Sequence, residues 1–453
     1  MYTLHSKKTL SLRFIPVTLL SSTLSILSPQ LLAGASTSSV LLSPGITTQA
    51  SVSSEGVQSN SYNYNSMINS NGQYILFASS ADNLVAGDTN QSTDVFLRDR
   101  INMTTERVSL ANDGSQANGR SSSSAMSDDG RFIVFESIAS NLVAGEQTFF
   151  SQLYVRDRIN GTTQRISVDS NGVLANSSSS SVAMSHDGRY ISFSSFASNL
   201  VANDTNGKSD VFLHDRLNST TQRISVSSTG VQGNNRSAGS SMSADGERIV
   251  FLSSADNLVA NDTNNVLDIF VYNRSSGITQ RVSVNSQGVE GDDSSGGGLI
   301  SANGQVVSFT SSARNLVPGD TNYLNDAFVH DLVTGVTERV SVKSDGTQAR
   351  DYSFSGGLSA DGRYAMFTTY DQSFDIGNVD WWFEDVFLHD RLTKTTEIMS
   401  VSSDGIQGNE DSGTPLISGN GQFVTFQSFA KELISGDNGS YTQDIFIRDR
   451  GVQ

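Results

Sequence analysis

The chain contains no cysteine. That excludes a disulfide framework, thiolate chemistry and a Cys-ligated zinc site, so stability must come from packing. Hydrophobic residues are also scarce, at 36%. Ser, Gly, Asn and Thr fill the difference, a mixture that disordered chains share. A regular aliphatic–aromatic pattern argues against disorder, because thin sheets stacked between neighbours need less apolar mass than one large core. Basic residues are few, with 29 Lys and Arg against 46 Asp and Glu, a net charge of −17. This excludes nucleic acid and anionic membrane surfaces, whose phosphates would be repelled. Cations or a basic partner fit the charge, and so does solubility alone.

Apolar runs long enough to matter occur only at the start. Lys7, Lys8 and Arg13 precede a mostly apolar stretch from Phe14 to Leu32, and Ala33-Gly34-Ala35 offers a small-residue cleavage site. Pro16, Pro29 and several Ser make it a poor transmembrane helix. Residues 1–35 are therefore read as a secretory signal. No Cys follows, so lipid anchoring is excluded. Removing the signal takes three basic residues and no acids, from −17 to −20. The mature protein is expected to be exported, periplasmic or extracellular, not inserted in a membrane, and monomeric.

What is present is repetition. Asn71-Gly72, Asp129-Gly130, Asp187-Gly188, Asp245-Gly246, Asn303-Gly304, Asp361-Gly362 and Asn420-Gly421 recur with their glycines 58 residues apart, and 59 for the last pair. Asx-Gly suits a two-residue type I′ hairpin turn, which needs positive φ twice. A fixed period of this length predicts a radial repeat fold. In the third unit, strand A is expected near 179–185, strand B at 190–194, strand C at 210–215 and strand D at 221–226. Strands B and C are apolar on both faces, as in Tyr74-Ile75-Leu76-Phe77 and Val95-Phe96-Leu97, which suits a sheet covered on both sides. Strand D alternates, as an outer rim should. The seventh unit ends without strand D, yet Thr47-Thr48-Gln49-Ala50-Ser51-Val52 matches that strand in the other units. The prediction is an all-β, seven-bladed β-propeller over 47–453, after a short tail at 36–46. An N-terminal strand completes the last four-stranded blade, and closure leaves no open end.

Segments such as Ser243-Ala244-Asp245-Gly246-Glu247-Arg248-Ile249-Val250-Phe251, followed by Ile269-Phe270-Val271 and Gly277-Ile278-Thr279, resemble the WD-repeat-like blades of TolB-type propellers. The resemblance runs over about 47–450. It implies a propeller fold and, for function, little more. Where the family often has Ser-Pro-Asp-Gly at the A–B turn, this chain carries Ser, Ala, Asp, His or Gly in place of Pro. The sequence also leaves out the N-terminal α/β domain of that family's namesake, so its partner binding is not carried over.

Four sets of residues stand out. The B–C loops repeat Asp-x-Asn-x-x-x-Asp: Asp88, Asn90 and Asp94; Asp204, Asn206 and Asp210; Asp262, Asn264 and Asp268; Asp320, Asn322 and Asp326. This is the start of a calcium loop, without its later acidic ligands. The alternative, which the short ligand count favours, is an Asx-turn that caps the loop and opens strand C. Two of the units without the motif carry aromatics there, with Phe149 and Phe150 in one and Tyr370, Phe374, Asp380, Trp381 and Trp382 in the other. Aromatic anchors among polar groups suit a protein or glycan partner; a tryptophan filling a gap in the blade is the alternative. His214, His330 and His389 take one strand position in three blades and are not expected to converge. Finally, the strand C Asp (Asp99, Asp157, Asp215) and strand D Arg (Arg107, Arg165, Arg223) recur together and are expected to pair across strands. The reading is a non-catalytic binding module with Ca2+ as its only candidate cofactor. The alternatives are a lyase-type enzyme working in the axial funnel, or a structural envelope protein.

Overall fold

The computed structural model describes residues 40–42, 45–145, 149–376, 383–437 and 442–451. Residues 1–35, read above as a secretory signal, and Asp380, Trp381 and Trp382 lie outside the described residues.

Seven sheets of four antiparallel strands form a seven-bladed β-propeller. In blade three, strands A to D are Ser179–Met184, Tyr190–Ser195, Asp210–Asp215 and Thr220–Arg223, hydrogen-bonded in that order. Strand C is buried along its whole length in most blades, and strand B nearly so. One aromatic pair stacks across strands B and C in every blade. Phe77–Phe96, Phe193–Phe212 and Phe251–Phe270 have ring centroids 5.9, 5.8 and 5.7 Å apart, and Tyr154 replaces the second Phe in blade two. Such pairs favour offset stacking and bury large apolar area. The apolar clusters lie between blades rather than within them. Ile191 and Phe193 of blade three pack with Val134, Leu153 and Val155 of blade two.

The ring closes as predicted. Ile46–Gln49 is strand D of blade seven, pairing Thr47 with Arg448 and Thr48 with Ile447. The closing seam repeats the chemistry of the others. In each blade a strand D threonine donates its hydroxyl to a valine or leucine carbonyl of the preceding unit: Thr105 to Val52, Thr163 to Leu110, Thr221 to Val168, and Thr47 to Val401 at 2.6 Å. Ala50 packs with Ile75, Phe77 and Ile445 across the seam.

Two details differ from expectation. The A–B turn is not type I′. Gly188 alone is left-handed (φ 71°), and its N–H donates to the Ser185 carbonyl. This is a turn followed by a left-handed glycine, the longer hairpin form. The aspartate before it serves as an acceptor: Asp187 Oδ1 takes bonds from Ser185 Oγ and the Arg189 N–H. Glycine is required twice over, since a Cβ there would come within 2.6 Å of the Phe132 ring. The expected tail, secondly, contains a strand. Val40–Leu42 pairs in parallel with Thr396–Ile398, giving blade six a fifth strand.

Candidate functional site

The innermost strands frame an axial cavity of about 800 Å³, lined from all seven blades. Its wall is uneven. Blades one to three supply Asn65, Asp128, Glu136 and His186, whereas blades five to seven supply Leu299, Leu358, Leu416 and small residues. Among the described residues, the third residue of strand A is left-handed in five blades, and three of these are not glycine: Asn65, Ser181 and Thr414, at φ 51°, 52° and 48°. A β-branched residue held there is strained, and such strain collects at functional sites.

Four of the B–C loops are built by ion pairs. Arg107 on strand D reaches Asp88 at 3.1 Å and Asp94 at 3.6 Å. Arg223 meets Asp204 and Asp210, Arg281 meets Asp262, Asp268 and Glu290, and Arg339 meets Asp320 and Asp326. The asparagine of each motif faces inward. Asn90 donates to Asp94 and to the Ala117 carbonyl, while its own Oδ1 accepts the Ser92 N–H. Asn206, Asn264 and Asn322 do the same. The Asx-turn reading describes these loops. The donor set does not fit a hard cation, because a guanidinium already stands between the two carboxylates. Burial still dominates their titration, pushing Asp94, Asp210 and Asp326 up and Asp262 up to about 6 against the opposing pull of arginine.

The expected pairing of strand C aspartate with strand D arginine is corrected. Register puts Asp99 opposite Thr104, while Arg107 faces Phe96. The strand C carboxylates instead cap the C–D turn, or meet the arginine after the A–B turn. Asp157 and Asp215 bind Arg131 and Arg189 at 2.8 Å, and those hydrogen bonds hold both carboxyls down at about 2. The histidines stay apart. His214, His330 and His389 each contact a threonine of their own blade through Nδ1, at 2.9, 2.8 and 3.0 Å. Burial pushes His214 and His389 down to about 4. They are neutral members of the threonine belt.

Blade six departs from the pattern. Its strand D carries Ile398 where the clamped blades have arginine, and both Ile398 and Phe374 are 0% exposed. Phe374 lies on a single 3-10 turn and packs edge-on against Phe367 and Phe387. It is therefore a core residue, not a ligand contact, and it occupies the slot that Leu84 and Leu200 fill elsewhere. Phe149 is fully exposed, Phe150 is 45% exposed, and Tyr370 is half-buried. Tyr370 hydrogen-bonds Glu384, which also accepts from Thr368 and whose N–H donates to Asp411 at 2.9 Å. Sequence reasoning passed over Glu384 and Asp411; the signal was their place beside a B–C loop whose strand D has Ile398 where four blades have a clamping arginine.

No family model and no curated protein matches the sequence. Solved structures do. The β-propeller domain of the Trilobed protease from Pyrococcus furiosus is 12% identical with a TM-score of 0.50, over 86% of this chain and 94% of that one. An oligogalacturonate lyase in complex with manganese is 11% identical with a TM-score of 0.48, over 90% and 98%. TolB from Acinetobacter baumannii is 15% identical with a TM-score of 0.40, and the chain spans 74% of itself and 62% of that protein. The likeness is one of fold. Among the described residues no helix is long and apolar enough to cross a membrane.

Proposed function

We propose that the protein is an exported, non-catalytic binding module that receives a protein or glycan partner at the mouth of its axial cavity. The supporting observation is the cavity itself: a recess of about 800 Å³ walled by the innermost strands of every blade, on a scaffold whose recurring charges are spent on one another. Binding sites are concave, largely pre-formed and mostly apolar with a few placed polar groups. The B–C and D–A loops share one face of the blades and carry the departures from symmetry.

The test is site-specific photocrosslinking in an extract of the source cells. A benzophenone side chain replaces Tyr323, on a B–C loop, or Ile159, on a C–D turn at the other face; both are well exposed. Adducts from position 323 alone are expected. Adducts from position 159 alone would reverse the choice of face.

A further inference from the structure

An arc of the loop face runs over blades six, seven and one, and its continuity is set by pairings. Phe354 lies opposite Thr368 on the neighbouring strand, and Thr368 donates to Glu384. Glu384 stands over Gly413: a Cβ there would lie 3.3 Å from its Oε2. Gly413 pairs with Gln427. The Gln443 carbonyl then accepts the Asn63 N–H at 3.1 Å, between Tyr62 and Tyr64. The arc thus begins and ends in exposed aromatic rings. Tyr352 and Phe354 stand at one end, and at the other Tyr62 stacks on Tyr64 with centroids 6.4 Å apart. Between them lies negative charge. Glu384 is half-buried, Asp411 is exposed, and among the described residues neither forms an ion pair. The charge acting on Glu384 is that of Asp411, which together with burial raises its carboxyl above the usual range. Thr414, beside Gly413, holds the strained φ of 48°.

On four of the B–C loops of this face, an arginine of the same blade meets the aspartates: Arg107, Arg223, Arg281 and Arg339. Here the acids meet only hydroxyls and an amide, and the rings nearby present faces that attract cations. We infer that this arc binds a basic segment of a partner polypeptide, seating a lysine or arginine side chain against Glu384 and Asp411 and between the flanking aromatics. The charge complementarity selects a cation, and an arc crossing three blades suits an extended chain rather than a single small amine. This rests on the loop face being the working face, as proposed above.

The probe is fluorescein-labelled octalysine, read by anisotropy at fixed ionic strength against the full mature chain. An acidic protein attracts a polycation through its general field, so the control must remove the same charge elsewhere on that face. Asp256→Asn in blade four does so. Glu384→Gln is expected to weaken binding at least tenfold, Tyr352→Ala about threefold, and Asp256→Asn less than twofold. Asp411→Asn, at an exposed position, repeats the test should the Glu384 variant melt early. Equal weakening by the Glu384 and Asp256 variants, or no binding at all, overturns the site. If that happens while crosslinking still favours position 323, the face stands and only the arc is wrong. Crosslinks from position 159 alone would instead remove the face.

Discussion

Blade four and blade six perform the same task with different chemistry. Both must tie a long B–C loop to the edge of the sheet. Blade four does it with charge: Arg281 sits among Asp262, Asp268 and Glu290 at 3.1, 3.3 and 2.8 Å. Blade six does it with an apolar plug, Phe374 against Phe367, Phe387 and Ile398. Blade seven offers a third solution. Gln49 stands at the arginine position, and Asp444 is met by Ser51, Ser59 and Asn63. A clamp consumes the acids of its loop, whereas a plug leaves neighbouring acids for something else. That difference is why the candidate site appears at blade six and not at blade four.

The largest expected effect breaks the clamp. Arg281→Met leaves three carboxylates together in a buried corner, and breaking a buried pair on one side costs about 3 to 5 kcal/mol. Urea denaturation should show that loss, and Asp262→Asn in the same background should recover part of it. Breaking the plug should cost nearly as much by another route. Phe374→Ala opens a cavity, for which about 3 to 5 kcal/mol is typical. Phe374→Leu restores the residue of the other blades and should cost only about 1 kcal/mol. If Phe374→Ala were silent in the melt, the plug would not be anchoring the loop.

The blades were legible because Asx-Gly recurs at a fixed period, and ring closure because Thr47–Val52 is a strand D out of place. The turn type was not, since Asx-Gly serves both a type I′ turn and one ending in left-handed glycine, and only the bonds to Ser185 decide between them. The partner of Arg107 was obscured by proximity in sequence: Asp99 is nearer than Asp88, but the hairpin register carries it to the other end of the strand. Phe374 looked like a ligand contact because a plug and an anchor are the same residue type. Val40–Leu42 carries no repeat signature, so its parallel pairing had no trace to read.

The third solution can be separated from the others by pH. Burial pushes Asp444 up to about 6, against the hydrogen bonds of Ser51 and Ser59. Its ordinary value is 3.8, so between the two the folded state holds more protons than the unfolded one. This residue's contribution to stability is therefore present at low pH and lost as pH rises from about 4 to 6. His389 has the opposite sign. Burial lowers it from 6.5 to about 4, so its contribution is present above 6.5 and lost as pH falls toward 4. Asp444→Asn should gain on the parent protein by about 1 to 3 kcal/mol between pH 4 and 7, followed by chemical denaturation at each pH. A gap that stays constant with pH would mean that Asp444 is ionised in the fold without penalty.

The smallest effect concerns the other loop that breaks the pattern. Phe149 is fully exposed and buries nothing within the chain, so Phe149→Ser should change stability by less than about 0.5 kcal/mol, as ordinary surface substitutions do. Set beside Phe374→Ala, the contrast assigns two aromatic residues in irregular loops to different work. One holds a blade together, and the other is held out to solvent at a cost that folding does not recover. Should Phe149→Ser lower the melting temperature by several degrees, that ring would be packing against the blade in solution, and blade two would hold its loop with a plug as blade six does.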